Sequence, residues 1–282
     1  MKILVFGRTG QVGRELGQYG EVTALSREEA DLAQPETLAD IIRDKAPNLI
    51  VIAAAYTAVD AAEREAELAD TINHRAPAAI ADAAATAGIP VIHYSTDFVF
   101  DGSGEAPFTE GDTPAPLSVY GQTKLDGERA VLSASERNIV LRVAWVFSAH
   151  GTNFVKTMLK LSETRDELRV VSDQIGGPTA ASDIARVTMT LARRLQDDRD
   201  EKGGLFHYTG GPDVSRSDFA RKIFSLAGKR VTIHDIPSSE FPAPAARPLN
   251  SRLDGSLLEQ RFGISRPDWR RSLEEVINSV AD

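Results

Sequence analysis

An apolar strand that runs directly into a glycine-spaced turn and then a helix opens this chain, and it restricts the fold more than any other feature. Residues 2–6 are the apolar run of a buried parallel strand, and Gly7, Gly10 and Gly13 follow at three-residue intervals. Glycines let a backbone approach a pyrophosphate, and helix N-terminal amides point at it. The stretch therefore predicts a dinucleotide site, although a glycine-rich turn without a ligand would have the same pattern.

Apolar strands and helical segments alternate through the first half of the chain. Because this alternation is typical of a parallel α/β sheet, we predict a Rossmann-type doubly wound fold. The later strands are predicted at residues 22–25, 48–55, 88–94 and 138–147, and the long alanine-rich helical segment at 58–87, with a break near Pro77.

The regular alternation of strands and helices ends after residue 147. We predict a short strand and turn at 168–179, helices at 180–195 and 215–227, a strand at 205–209 and a proline-rich loop at 236–250. This part would form a smaller lobe over the C-terminal edge of the sheet. The predicted NAD(P)-binding domain comprises residues 1–147 and about 181–212, and the predicted substrate-binding lobe about 148–180 and 213–282.

Composition excludes several kinds of site. The net charge of −9 argues against non-specific binding to nucleic acid or to an anionic membrane. The chain has no cysteine, which rules out disulfides and zinc–thiolate sites. None of the five histidines has a metal-binding spacing, and His93, inside a strand, is expected in the core. With strand sequence beginning at Lys2, we expect no signal peptide and a cytoplasmic protein.

Tyr120 and Lys124 form the main candidate for catalysis. They are four residues apart in a predicted helix, so both side chains face the same way. A positive charge at ~4 Å with an effective dielectric of ~20 is worth roughly 4 kcal/mol, which corresponds to about three pKa units of a phenol. We therefore expect Lys124 to lower the pKa of Tyr120. The same spacing also occurs in helices without catalytic function, so the other motifs of the chain decide whether this pair is catalytic.

The ends of the predicted strands carry the other candidates. Ser26 and Arg27 follow the second strand and Arg8 lies in the glycine loop, with no acid directly at the strand end. These groups suit the 2′-phosphate of NADPH rather than NADH, although two glutamates follow and Arg27 is also compatible with a solvated turn. The predicted cofactor contacts are Gly7, Arg8, Thr9, Gly10, Gln11, Val12, Gly13, Ser26, Arg27, Asp31, Leu32, Ala53, Ala54, Ala55, Thr57, Tyr120 and Lys124.

Ser95, Thr96 and Asp97 end the strand at 88–94, at the sheet edge where ligands bind in open parallel sheets. Trp145 suits either the core or an apolar platform for a ring. Arg247 would either pair with a diphosphate or anchor the proline-rich loop.

The chain resembles the extended short-chain dehydrogenase/reductases and, within them, the dTDP-4-dehydrorhamnose reductase family. The resemblance spans nearly the whole chain. It is carried by the glycine pattern and by residues 54–63, 94–101, 120–124, 142–147, 153–159, 173–179 and 247–251.

The resemblance implies NADPH-dependent reduction, with NADH possible, of the C4 ketone of dTDP-4-dehydro-L-rhamnose. It makes Tyr120 the general acid, lets Lys124 lower its pKa and hold the nicotinamide ribose, and places Thr96 at the substrate carbonyl or the Tyr120 hydroxyl. The substrate, a small nucleotide sugar, would contact Val59, Ser95, Thr96, Asp97, Trp145, Asn153 and Arg247.

Some relatives, as the resemblance suggests, dimerise through magnesium held by carboxylates. Glu15 matches one such position, but Ser182 stands where a second acid is expected. A bound metal is therefore not expected, and a monomer and a homodimer both stay open. Two other functions also stay open. One is reduction or epimerisation of another 4-keto nucleotide sugar. The other is a non-catalytic NADP-binding subunit resembling the regulatory subunit of methionine adenosyltransferase.

Overall fold

The structure is a computed structural model that describes residues 1–241 and 243–281. Its strands are β1 (Ile3–Phe6), β2 (Val22–Leu25), β3 (Leu49–Ile52), β4 (Val91–Thr96), β5 (Ile139–Val143), β6 (Val146–Phe147), β7 (Glu167–Val171), β8 (Ile175–Gly176), β9 (Thr179–Ala180), β10 (Gly204–His207), β11 (Val214–Ser215), β12 (Thr232–Ile236) and β13 (Asn250–Ser251). Its α-helices are α1 (Gln11–Leu16), α2 (Leu38–Lys45), α3 (Val59–Ala62), α4 (Ala66–Asp70), α5 (Ala76–Thr86), α6 (Val119–Ala134), α7 (Phe154–Leu161), α8 (Ala181–Asp197), α9 (Arg216–Leu226), α10 (Ser256–Phe262) and α11 (Trp269–Ala281).

Six parallel strands form the main sheet in the order β10-β5-β4-β3-β1-β2, which confirms the predicted α/β class. The chain moves from β1 outward to β2 on one side and then back to β3 on the other. Phe6 at the end of β1 pairs with Leu25 of β2 and with Ile52 of β3. The strand order thus reverses at β1, and a crevice opens beyond the carboxyl ends of β1 and β3, where ligands bind in such sheets.

Both faces of the main sheet are covered by helices, because the parallel strands are apolar on both sides. One buried cluster joins alternate strand residues such as Val5 and Val51 to α1, α8 and α10. The other joins the intervening residues, such as Leu4 and Ile50, to α2, α5 and α6. This packing fixes the sheet, and it holds the carboxyl edge in place as a platform for a site.

The C-terminal part of the chain has a core of its own. The paired strands β7 and β12 pack with α7, α9 and α11 around the buried ring of Phe219. The helix α10 is different, because its Leu258 and Phe262 pack beneath the main sheet. The domain boundaries stay a prediction.

Two predicted elements are interrupted. The strand predicted at 138–147 ends at Val143, because Trp145 has a left-handed backbone with φ 51°, and the chain resumes as β6 beside β9. The helical segment at 58–87 is divided into α3, α4, a π-helical turn at Thr71–Arg75 and α5. Pro77 lies just after the π-helical turn, at the point where the regular hydrogen-bond pattern of this continuous helical run is interrupted.

Of the proline-rich loop at 236–250, residue 242 lies outside the described residues. No helix within 1–241 and 243–281 has both the length and the apolar character needed to cross a membrane.

Candidate active site

The glycine loop after β1 packs closely on the end of β3. Gly7 has φ 117°, and a Cβ atom there would lie 2.6 Å from the backbone nitrogen of Ala54. A Cβ on Gly13 would overlap the carbonyl oxygen of Gly7. The N–H groups of Gln11, Val12 and Gly13 have no backbone acceptor within the described part of the chain. A tight backbone with free N–H donors fits the pyrophosphate of the predicted dinucleotide.

The tip of β2 differs from the prediction in one respect. No acid directly follows β2 in the sequence, but the side chain of Glu29 folds back onto this strand end. Its Oε2 accepts hydrogen bonds from the backbone N–H of Ser26 at 2.9 Å and from the Ser26 hydroxyl at 3.0 Å, and it pairs with Arg8 at 3.1 Å. The cause is local, because Ser-x-x-Glu is the signature of a capping box. That signature was present in the sequence and could have identified Glu29.

The remaining predicted cofactor contacts are spread along the same edge. Ala53 and Ala54 donate to the carbonyl oxygen of Phe6 and so continue β3 past its last residue. Thr57 is exposed beyond them, and Arg27 pairs with Asp31 at 3.3 Å. Leu32 is buried in the core beneath α2. Direct contact of these residues with a cofactor stays a prediction.

Thr96, Asp97 and Tyr120 meet at the carboxyl end of β4. The Thr96 hydroxyl donates to Asp97 Oδ1 at 3.0 Å, and the ring of Phe98 meets that of Tyr120 edge-on with centroids 5.4 Å apart. Ser118 caps α6 by accepting from the N–H of Gly121 at 3.2 Å, which places Tyr120 in the first turn of the helix. A Cβ on Gly121 would overlap the carbonyl oxygen of Phe98, so this glycine allows the close approach.

Two buried polar atoms at this edge have no partner among the described residues, namely Ser95 Oγ and Asp97 Oδ2. Because buried polar atoms are normally hydrogen-bonded, these are places where a polar ligand can supply the missing partner. Burial raises the pKa of Asp97, while the Ser251 and Thr96 hydroxyls and the positive charge of Arg216 lower it.

The pKa of Tyr120 is not lowered, contrary to the expectation from sequence. Loss of water around the phenol raises its pKa to about 12, the neighbouring Thr96 hydroxyl acts in the opposite direction, and the Asp97 charge raises it further. Lys124 is turned elsewhere, because its ammonium donates to the carbonyl oxygen of Tyr94 at 2.6 Å. In this arrangement Tyr120 is fully protonated at neutral pH, which is the form that a proton donor needs.

Lys124 is itself buried, and its pKa is shifted. Only 2% of it is exposed, and burial lowers its pKa to about 8, while the charge of Glu128 raises it. Its ammonium also lies 3.2 Å from Nε2 of His93, which is fully buried as predicted. Lys124 lies one helical turn after Tyr120 on α6, and its charge changes with pH around its pKa of about 8.

A cavity of about 1140 Å³ opens between the main sheet edge and the C-terminal lobe. Trp145 lies in its wall, because the left-handed backbone at that position turns the side chain out of β5. The guanidinium of Arg216 lies 3.6 Å from the Trp145 ring centroid and 5.2 Å from that of Phe154. Burial lowers the pKa of Arg216 to about 10, so it stays charged at neutral pH.

Arg216 was not among the site residues predicted from the sequence. It is the first residue of α9, more than seventy positions from Trp145, and nothing in the local sequence marks it. Among the described residues its side chain has no hydrogen-bond or ion-pair partner, so its donors are available to a ligand in the cavity.

The other predicted substrate contacts have structural partners. Arg247 pairs with Asp60 at 2.8 Å, next to Val59, and so ties the proline-rich loop to α3. Asn153 caps α7 by accepting from the N–H of Lys156 at 3.1 Å, and its amide donates to Gln11 at 2.9 Å. Their contact with a substrate stays a prediction.

Among the residues that the structure describes, no group of three or more metal-ligating side chains is found. Glu15, which matches one position of the magnesium site that the resemblance suggests for some relatives, lies 3.5 Å from Nε2 of His150 and accepts from Gln18 at 3.1 Å.

Comparison with known proteins gives consistent matches over the whole chain. A family model described as the RmlD substrate binding domain matches residues 1–281. A dTDP-4-dehydrorhamnose reductase of Sinorhizobium fredii is 46% identical over 286 residues, which cover 98% of this chain and 97% of that protein. One from Escherichia coli K12 is 40% identical over 294 residues, covering 99% and 98%.

Solved structures that resemble this chain come from proteins with the same name as these relatives. A dTDP-4-dehydrorhamnose reductase from Clostridium acetobutylicum superposes with a TM-score of 0.94 at 39% identity, covering 100% of both chains. One from Bacillus anthracis in complex with NADP has a TM-score of 0.93 at 31% identity, covering 99% of this chain and 100% of the other.

Proposed function

This chain belongs to the dTDP-4-dehydrorhamnose reductase family, and on that basis we propose that it reduces the C4 ketone of dTDP-4-dehydro-L-rhamnose with NADPH to give dTDP-L-rhamnose. The observation that carries the proposal is the meeting of Thr96, Asp97 and Tyr120 at the carboxyl end of β4. The glycine loop lies on the same sheet edge, and the Trp145 cavity opens beside it. The product is a precursor for cell-surface polysaccharide.

The glycine loop would hold the cofactor. Its free N–H groups at Gln11, Val12 and Gly13 suit the pyrophosphate. The Lys124 ammonium has three N–H donors, of which Tyr94 and His93 accept two, so the third suits a hydroxyl of the nicotinamide ribose. When bound, NADPH supplies the hydride, and the protein supplies binding and orientation.

Tyr120 supplies the proton. The carbonyl oxygen becomes an alkoxide as the carbon is reduced, so a proton must reach it from a positioned donor. The phenol stays protonated up to a pH of about 12, and the Thr96 hydroxyl is placed to orient it. General-acid catalysis of this kind is typically worth about 10²–10⁴ in rate.

The cavity suits a nucleotide sugar. Its volume of about 1140 Å³ is enough for a nucleotide with a diphosphate and a sugar ring, and rings of Trp145 and Phe154 line it. Arg216 provides a charged fork for the diphosphate, since guanidinium groups bind phosphate oxygens in pairs. Phe98, which directly follows Asp97, lines the cavity, whereas the unpaired atoms Asp97 Oδ2 and Ser95 Oγ are buried and would become partners of a sugar hydroxyl only if the ligand reached past this wall.

The decisive experiment follows NADPH oxidation at 340 nm with dTDP-4-dehydro-L-rhamnose for the wild type and Tyr120→Phe. This substitution removes one hydroxyl group. We expect turnover by the wild type and a loss of at least about 100-fold in kcat in the variant, with NADPH binding retained. Tyr19→Phe is the matched control, because the Tyr19 ring packs against the core of the main sheet, away from β4.

Two results would contradict the proposal. No turnover by wild-type protein that is folded and binds NADPH would remove the rhamnose assignment in favour of another 4-keto sugar or a binding subunit. Full activity in Tyr120→Phe would retain the reaction but remove Tyr120 as its acid.

We also propose a cytoplasmic protein that works as a monomer or homodimer. The absence of cysteine supports the location, since disulfides are a feature of oxidising compartments. The predicted independence of metal is supported by Ser182 at the position of the expected second acid.

A further inference from the structure

We propose that Gly176 is a positioning residue for the substrate, because the missing side chain at this position sets where the ring of Trp145 lies in the cavity wall. This inference deepens the proposed function, since it rests on Trp145 as the platform for the sugar ring. Gly176 is buried and is not among the described residues that line the cavity, so it acts through Trp145.

A side chain at Gly176 would collide with the ring of Trp145. A Cβ atom there would lie 2.9 Å from Cε2 and 3.1 Å from Cζ2 of that ring, and 2.9 Å from Cβ of Ser251. Carbon atoms in contact are about 3.5–4.0 Å apart, so the ring would have to move by at least about 0.6 Å. Gly176 lies in β8 and its backbone is not left-handed. The site therefore needs the space at this position rather than the conformational freedom of glycine.

The backbone around Trp145 is fixed, so the ring has to respond to a change at Gly176. The carbonyl oxygen of Trp145 accepts from the N–H of Thr179 at 3.3 Å, and the next residue, Val146, pairs with Thr179 between β6 and β9. The guanidinium of Arg216 lies 3.6 Å from the ring centroid. Arg216 and the space left at Gly176 together define the position of the ring.

The three-stranded sheet β11-β8-β13 brings these residues together. Gly176, in the middle strand, pairs with Val214 of β11 and with Ser251 of β13. Arg216 directly follows β11, and its N–H donates to the carbonyl oxygen of Gln174 at 3.2 Å, just before β8. Three strands that are far apart in the sequence thus meet at one tryptophan, and a change in the middle strand reaches its ring directly.

The position of this ring matters for the proposed reaction, because the ketone must meet both the hydride and the Tyr120 hydroxyl. A misplacement of about 1 Å can cost about 100-fold in rate, since the reacting atoms must be aligned within contact distance. A displaced Trp145 would shift the sugar end of the substrate. The glycine loop has no part in the three-stranded sheet, so cofactor binding should be retained.

Gly176→Ala tests the inference through a difference between ligands. We expect kcat/KM for dTDP-4-dehydro-L-rhamnose to fall about 10–100-fold, while the dissociation constants of NADPH and of dTDP, which has no sugar, change little. In a Trp145→Phe background, where the ring is smaller, the same substitution should cost much less, and a double-mutant cycle measures the difference. Gly255→Ala is the matched control, because the nearest atom to a Cβ there is Cγ of Arg266 at 3.3 Å and neither residue lines the cavity.

A second measurement needs no turnover. The chain has two tryptophans, so subtracting the emission of Trp145→Phe from that of the wild type isolates Trp145. The same subtraction between Gly176→Ala and the double variant isolates it after the change. Because Gly176 is buried behind the cavity wall, its new side chain pushes the ring toward the cavity. We therefore expect acrylamide to quench Trp145 more strongly in Gly176→Ala.

The inference would be overturned by unchanged quenching of Trp145 in folded Gly176→Ala, or by unchanged kcat/KM when the wild type is active. An equal loss in the Trp145→Phe background, or an equal loss of dTDP binding, would also overturn it. If Gly176→Ala does not fold, Trp145→Phe should restore folding, and failure to do so would assign the constraint to Ser251 instead. Absence of turnover by the wild type would contradict the proposed function, and quenching would still decide whether Gly176 positions the ring.

Discussion

Lys124 donates a hydrogen bond from its ammonium to Nε2 of His93 at 3.2 Å, inside the core between β4 and α6. Burial and the charge of Lys124 keep the pKa of His93 well below its usual value, so the imidazole is neutral and accepts. The same ammonium donates to the carbonyl oxygen of Tyr94 at 2.6 Å. Two acceptors from one strand therefore fix the cation below Tyr120.

The pKa values at this site predict how activity depends on pH. Lys124 carries its charge below its pKa of about 8 and loses it above, whereas Tyr120 stays protonated to about 12. We expect kcat/KM for NADPH, which reports groups of the free enzyme, to fall above a pH of about 8 because Lys124 is deprotonated.

Variants of His93 test whether Lys124 causes this fall in kcat/KM. His93→Leu removes one acceptor from the buried ammonium, so the fall should move to lower pH, while His93→Gln offers an amide acceptor and should shift it less. A fall that begins only above pH ~10, nearer the unperturbed values of lysine and tyrosine, would show that Lys124 does not control it.

The buried ion pair between Arg142 and Glu128 should be essential for stability. The carboxylate accepts two hydrogen bonds from Arg142, at 2.8 and 2.7 Å, and both side chains are 2% exposed. Glu128→Gln leaves an uncompensated buried guanidinium, and we expect a loss of about 3–5 kcal/mol in the free energy of unfolding. Urea denaturation measures this loss.

The exposed pair between Lys202 and Glu136, at 2.9 Å, gives the matched control. Glu136→Gln should change the urea midpoint little, because solvent and salt screen exposed pairs. Equal effects of the two substitutions would show that burial does not determine how much the Arg142 pair contributes to the free energy of unfolding.

Arg216→Leu should weaken binding of the nucleotide diphosphate. The substitution retains an apolar contact with Trp145 but removes the charge and the donors. A hydrogen bond to a charged group is worth about 1.5–3 kcal/mol, so the dissociation constant of dTDP should rise about 10–100-fold by calorimetry. Arg165→Leu, an exposed cation in the wall of the same cavity, should have a much smaller effect. Similar losses in both variants would indicate a general effect of charge.

The main sheet could be predicted closely because its signals are local. The apolar run of β1 and the glycines after it are compatible with few structures other than a strand followed by a tight turn. The strand β2 is found at the predicted residues 22–25. The break at Trp145 was not predictable, since a left-handed tryptophan is held by its surroundings rather than by its own preference.

The site residues also fall into those that local sequence predicts and those that only the folded structure reveals. Thr96, Asp97 and Tyr120 were identified from sequence because strand ends and helix starts determine which residues reach the sheet edge. The direction in which Lys124 points depends on acceptors in β4, and the raised pKa of Tyr120 follows from the burial of its phenol. Glu29 had a local signal, whereas Arg216 had none.

The sequence by itself determined the order of strands and helices, the glycine loop, the Tyr120–Lys124 spacing and the resemblance to the reductase family. Each depends on residue types a few positions apart, where backbone geometry decides which side chains are neighbours. Only the tertiary structure decided that Arg216 covers Trp145, that Lys124 donates to Tyr94 and His93, and that Arg142 is neutralised by Glu128. Those contacts join distant parts of the chain, and their charges and pKa values follow from burial, which exists only once the chain is folded.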